Sequence, residues 1–183
     1  TKDGGHQFTP SYRAVNAQAR VPSLDVDGVI LTQSLAIIEY LDETHPQPAL
    51  MPADAYGRAR VRALAQSIAC EIHPLNNLRV LKYLSQELQV DEDAKNTWYR
   101  HWVRQGLEAF ERQLAQAGTG RFCHGDTPGL ADCCLVPQVF NAQRYKCDLT
   151  PYPTAMRVFA ECMRHEAFDR AQPSKQPEAA TES

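Results

Sequence analysis

Three things are scarce in this sequence, and each scarcity removes a class of function. Apolar runs are short: within the 183 residues no stretch approaches the ~20 needed to cross a bilayer. The start, TKDGGHQF, carries no basic segment leading into an apolar one, so the chain reads as cytoplasmic, without a membrane partner. Positive charge is not in excess: the formal net charge is -3, which gives no electrostatic reason to expect nucleic acid. Paired cysteines are missing as well. Cys70, Cys123, Cys133, Cys134, Cys147 and Cys162 show no CxxC pair and no Cys/His spacing suited to zinc. They read as free thiols in a reducing compartment, and no metal is expected. An initiator methionine is also lacking, and the opening residues enter what reads as the middle of a fold, so a segment upstream is expected.

What is present suits a packed protein. With 43% hydrophobic and 22% charged residues, the chain fits one compact unit or two small domains rather than a disordered or fibrous chain. Ser23 to Val26 and Val29 to Thr32 are short β-favouring runs around Asp27-Gly28, a dipeptide that suits the type I′ turn of a two-residue hairpin. From Ser34, the run LAIIEYLDETHP places Leu35, Ile38 and Leu41 on one helical face, and Pro46 marks the stop. The proline-containing stretch Gln47 to Ala53 joins this half to a region with no strand signal.

Beyond it, Asp54 caps a long helix with apolar positions Val61, Leu64, Ala65, Ile68, Ile72, Leu75, Leu78 and Leu81, running to about Leu88 with a kink at Pro74. A second helix spans about Glu92 to Ala117, with Trp98, Trp102, Leu107, Phe110 and Leu114 as its buried side. A third opens near Gly129, and a fourth covers about Pro153 to Arg164. The polar tail from Pro173 lacks apolar anchors and reads as mobile. The order predicts an α/β domain followed by an all-α domain.

Two places stand out chemically. Arg20-Val21-Pro22-Ser23 enters the hairpin through an X-Pro bond. If cis, it would turn the Val21 backbone outward to pair with an extended peptide; the alternative is a trans proline opening an edge strand. Gln33-Ser34 stands where the second strand passes into a helix, and free N–H groups there attract anions, a carboxylate above all. The alternative is that Ser34 simply caps the helix.

The run ARVPSLDVDGVILTQSLAIIEYLDETH (Ala19 to His45) resembles the second half of the thioredoxin-like domain of glutathione transferases. The stretches IHPLNNLRVLKYL, GDTPGLADCCLVPQV and NAQRYKCDLTPYP, with the tail element QPEAA, are similar to the zeta class, the maleylacetoacetate and maleylpyruvate isomerases. The resemblance implies glutathione transferase architecture. Residues 1–46 would form an incomplete thioredoxin-like domain lacking its first strand and helix, 47–53 a linker, 54–172 an all-helical domain and 173–183 a mobile tail. It also implies a cytoplasmic homodimer that uses glutathione to isomerise maleylacetoacetate to fumarylacetoacetate in tyrosine and phenylalanine catabolism. Alternatives are a maleylpyruvate isomerase, a general glutathione-conjugating transferase and a non-catalytic binding protein of the same fold.

Carried over by position, Val21 and cis Pro22 would hold the cysteinyl part of glutathione, Gln33 and Ser34 its γ-glutamyl end, and Gln7 the neighbourhood of its glycyl end. His73, Asn77 and Arg79 would line the site from the helical domain, and Arg144 would bind a substrate carboxylate. Read from the residues alone, His73 could be a hydrogen-bonded residue at the kink, and Arg144 could pair with a helix C-terminus. Helical spacing puts Asn77 on the face of His73 and turns Arg79 away from it. The catalytic group that activates the glutathione sulfur is expected in the absent opening segment. A further departure is Gly129 where much of the superfamily has a Ser or Thr cap before an Asp, here Asp132.

Overall fold

The computed structural model describes residues 5–177, which fall into two units that divide between Met51 and Pro52. The first opens with a 3-10 turn, His6–Phe8, and helix α1, Pro10–Val15. Thr9 caps α1 by accepting the Tyr12 N–H at 3.3 Å, with Pro10 at the first helical position, where no donor is lost. Strands β1, Ser23–Val26, and β2, Val29–Thr32, pair antiparallel with Val26 opposite Val29. Asp27 and Gly28 at φ 51° and 86° supply the two positive φ values of a type I′ turn.

Helix α2, Ser34–Thr44, follows. Its buried residues are Ile37 and Asp42, whereas Leu41, expected on the covered face, is 40% exposed. Two short strands present too narrow an apolar surface to cover the whole Leu35/Ile38/Leu41 stripe. Asp42 earns its burial by accepting the Leu50 N–H, which ties down the segment after the helix. Within that segment the Gln47–Pro48 peptide is cis.

In the second unit Asp54 caps α3, Ala55–Gln66, by accepting the Gly57 N–H at 2.8 Å. Here the sequence expectation needs correcting: Pro74 does not kink one long helix but sits in a break between two. After α3 the chain runs through a π turn, Ser67–Ile72, and a 3-10 turn, His73–Asn76, and becomes extended at Asn77. Asn77 then caps a new helix, α4, Leu78–Gln86. Proline removes one backbone donor and crowds the preceding turn, while an Asn side chain offers the next helix its first partner. Because the helical phase restarts at Asn77, Leu78 is exposed and Leu81 and Leu84 carry the buried face.

Helix α5, Glu92–Leu114, buries Tyr99, Val103, Leu107, Phe110 and Leu114. Trp98 and Trp102, expected inside, lie half-buried on its flank. The Trp98 indole N–H donates to the Leu75 carbonyl at 2.9 Å, a partner that an edge position supplies and a fully apolar interior does not. Gly106 lets α5 approach the π turn: a Cβ there would lie 2.2 Å from Ile72 Cγ1.

Helices α6, Leu130–Arg144, α7, Pro153–Cys162, and α8, Glu166–Arg170, complete the unit. At the start of α6, Asp132 Oδ2 accepts the Gly129 N–H at 2.8 Å and Oδ1 accepts the Cys123 N–H at 2.9 Å. The half-cap expected from the sequence is thus reinforced by a bond to the preceding loop. Pro173–Lys175 forms a 3-10 turn, with Lys175 paired to Asp169; residues 178–183, including the end of QPEAA, lie outside the described residues.

Candidate functional site

The first unit builds a shallow cleft where the segment entering β1 meets the start of α2. Asn16, 5% exposed, organises it: its Nδ2 donates to the Arg20 carbonyl at 2.9 Å and to Ser23 Oγ at 3.3 Å, and its Oδ1 accepts the Gln18 N–H at 3.0 Å. The Tyr12 hydroxyl also donates to the Arg20 carbonyl, at 2.7 Å. Between these anchors the Val21–Pro22 peptide is cis, and Val21 is 68% exposed. Among the described residues no hydrogen bond takes up the Val21 backbone. Asn16, Gln18, Arg20, Val21 and Pro22 line one side of the cleft, and Gln33 and Ser34 line the other.

Gln33 precedes α2 with φ 74° and ψ 116°, a sparsely populated region for a residue with a side chain and a conformation that concentrates at ligand sites. No side chain caps α2, and its first intrahelical bond is from the Ile37 N–H to the Gln33 carbonyl. The N–H groups of Ser34, Leu35 and Ala36 therefore lack helical partners and, with the Ser34 hydroxyl, form a cluster of donors at the positive end of the helix. Such a cluster holds a carboxylate, while an unpaired extended backbone beside it can pair with a peptide. Together they suit a short peptide with a free α-carboxylate.

Of the residues singled out from the sequence, Val21, Pro22, Gln33 and Ser34 meet at this cleft. Gln7 does not line it; it lies in the 3-10 turn with its amide folded over Gly5. In the second unit His73 and Asn77 come together at the helix break, and Arg79 joins them through its backbone N–H. Asn77 Nδ2 lies 3.4 Å from His73 Nε2, and Asn77 Oδ1 accepts the Arg79 N–H at 3.2 Å. The two side chains meet across the break rather than along one helical face. Desolvation lowers the His73 pKa below the usual imidazole value, which favours the neutral ring at neutral pH. Arg144 is exposed at the last position of α6. The following residue, Tyr145, is held on α5: its ring stacks on Tyr99 at 3.6 Å and its carbonyl accepts from Arg100 Nε at 3.0 Å.

Burial raises the Cys133 and Cys134 thiols to about 11 and about 12 and pushes Cys123 and Cys162 higher still. None of these four is a thiolate at neutral pH, so none is a ready nucleophile. Among the described residues no group of His, Cys, Asp and Glu side chains could hold a metal ion, and no helix is long and apolar enough to cross a membrane. Sequence reasoning missed Asn16, Gln18 and Tyr12. The Asn of AVNAQAR is a signal for Asn16, because an Asn side chain favours bonding the backbone two residues on.

Family models for the glutathione S-transferase N-terminal domain and C-terminal domain match residues 3–49 and 96–161. A maleylpyruvate isomerase of Ralstonia is 51% identical over 171 residues, covering 93% of this chain and 81% of the relative. A solved holo maleylpyruvate isomerase, described as a bacterial zeta-class glutathione transferase, superposes with TM-score 0.90 at 49% identity over 94% of this chain and 82% of its own. A maleylacetoacetate isomerase of Methylobacterium extorquens, solved with bound malonate and glutathione, gives TM-score 0.90 at 39% identity, over 96% and 83%.

Proposed function

Since the chain belongs to the zeta class of the glutathione transferases, we propose that it is a glutathione-dependent isomerase converting maleylacetoacetate to fumarylacetoacetate. The observation that carries this reading is the cleft of the first unit, where the open Val21 backbone and the uncapped start of α2 border one space. Those groups fit glutathione chemically. Val21 and Pro22 would hold the extended cysteinyl part, and Ser34 with the free N–H groups of α2 would hold the γ-glutamyl carboxylate. Gln33 stands at the same end. Gln7 is assigned to the glycyl end by resemblance. Glutathione, when bound, supplies a nucleophilic thiolate whose reversible addition allows the former double bond to rotate, so it is not consumed.

The chain's own contribution is to bind and orient. Arg144 would grip a substrate carboxylate through the two parallel hydrogen bonds that a planar guanidinium offers. The Tyr145–Tyr99 stack and the Arg100 bond fix the backbone from which Arg144 projects. His73, neutral at neutral pH, and Asn77 would present polar atoms to the substrate, with Arg79 beside them at the start of α4. The working form is a cytoplasmic homodimer, which light scattering at micromolar concentration would test through a doubled mass.

A second reading, maleylpyruvate as substrate, is supported by the Ralstonia relative. Measurement of kcat/KM for both maleyl acids at saturating glutathione separates the two. A higher value for maleylacetoacetate supports the first reading, a higher value for maleylpyruvate the second, and turnover of neither opposes both.

A further inference from the structure

The cleft contains one side-chain contact that the proposed function leaves unused. Gln33 Nε2 donates to Gln18 Oε1 at 3.1 Å. A primary amide has an NH2 end with two donors and a carbonyl end that accepts, and this bond uses one N–H and turns the NH2 end of Gln33 toward Gln18. The Gln33 carbonyl oxygen is the end left for a ligand. Beside it stand the Ser34 hydroxyl and the free N–H groups of α2, which are donors. The cleft therefore sets one acceptor next to a group of donors, the pattern that matches the ammonium and carboxylate of an α-amino-acid head group.

Gln18 is placed for this task by its backbone, because its N–H donates to Asn16 Oδ1 at 3.0 Å and Asn16 is buried and bonded to Arg20 and Ser23. We propose that Gln18 is a positioning residue for the amino group of the γ-glutamyl end: by accepting the Gln33 amide N–H, it leaves the Gln33 carbonyl to receive the ligand's ammonium. This rests on the reading of the cleft as a glutathione site. With the opposite amide orientation Gln33 would turn N–H groups toward a cation and lose a charge-assisted bond.

The test uses titration calorimetry with glutathione and with its analogue lacking the α-amino group, on the parent, Gln18→Glu and Gln18→Lys, each also combined with Gln33→Ala. Glutamate can only accept and preserves the Gln33 orientation, so glutathione affinity stays within about twofold of the parent. Lysine can only donate and reverses the amide, so affinity falls about tenfold. That loss disappears in the Gln33→Ala background, where direct repulsion by the lysine charge would persist, and it disappears with the deaminated analogue. An unchanged affinity in Gln18→Lys, or a loss that persists without Gln33, overturns the proposal. Ser34→Ala, run alongside, keeps the two readings distinct. If it weakens glutathione binding while the Gln18 series is flat, this inference alone falls; if it too has no effect, the cleft reading falls with it.

Discussion

The two units of this chain are held together by different means. In the first, the buried apolar side chains among the described residues are Ala19, Ile37 and Met51, and the order around the cleft comes from Asn16, Tyr12, Gln18 and Asp42 bonding to backbone and to one another. In the second, α3, α5, α6 and α7 interlock through a continuous apolar core from Val61 to Cys162. Polar anchoring leaves backbone groups and a helix end exposed where a peptide can use them. Apolar packing gives a rigid body from whose ends single side chains such as Arg144 can project. Substitutions should therefore divide, with large stability effects in the second unit and selective binding effects in the first.

The largest expected effect is Phe110→Ala. Phe110 is fully buried, and truncation of such a ring costs about 3–5 kcal/mol, to be read from the denaturant midpoint. A loss below ~0.5 kcal/mol would break the contrast, since that is the scale of an ordinary surface change.

Next comes Ser34→Ala. Removing one charge-assisted hydrogen bond should weaken glutathione binding by roughly 1.5–3 kcal/mol, about ten- to a hundred-fold. The melting temperature should hardly change, because Ser34 is exposed and makes no capping bond. A large fall in melting temperature with unchanged affinity would put the first unit in the same category as the second.

These sites differ in how readily the sequence announces them. The hairpin was legible because Asp-Gly demands a turn that few other dipeptides accept, and the cap at Asp54 because a short polar residue before apolar periodicity favours a helix start; Ser34 stands in the same context and caps nothing, so that signal alone did not separate a cap from a binding site. The break at Asn77 was not legible as a break. Proline predicts a disturbance, but whether a helix bends or restarts depends on whether the next residue can serve as a cap, and Asn77 does. The burial of Tyr99 and Val103 in place of Trp98 and Trp102 was hidden for a related reason: aromatic size suggested the core, whereas the helical face that carries Leu107, Phe110 and Leu114 passes through Tyr99 and Val103, and the Trp98 indole N–H finds its partner at the flank. Within the candidate site, Val21, Pro22, Gln33 and Ser34 were visible as a local pattern. Asn16 and Gln18 were not, because their roles exist only across the fold.

Arg144→Lys sharpens the comparison from the other side. Lysine keeps a charge suited to a helix C-terminus but loses the planar fork. A carboxylate clamp predicts a fall of about tenfold or more in kcat/KM for the maleyl acid, roughly 1.4 kcal/mol in transition-state binding, with stability and glutathione affinity unchanged. Equal kcat/KM values would make Arg144 a structural residue.

The smallest effect concerns pH. Because desolvation lowers the His73 pKa in the folded protein, the unfolded chain binds a proton there more readily. The stability contributed by the neutral ring is present above the ordinary imidazole value and is lost as pH falls through the lower folded value. His73→Gln should flatten the fall in melting temperature below pH 6.5. The change is small because solvent still reaches this residue and screens its charge, so that the desolvation is only partial. An unaltered pH profile would mean that the ring is not desolvated at all.

The central claim is that glutathione serves this protein as a cofactor in a cis-trans isomerisation. It is tested most directly by following conversion of the maleyl acid at a glutathione concentration far below that of the acid, with the intact mass of the protein measured. The account predicts complete conversion to the trans acid with the free thiol conserved, and no enzymatic conversion when glutathione is left out. Conversion that stops at one equivalent of acid per glutathione, or that proceeds equally well without it, would contradict the account.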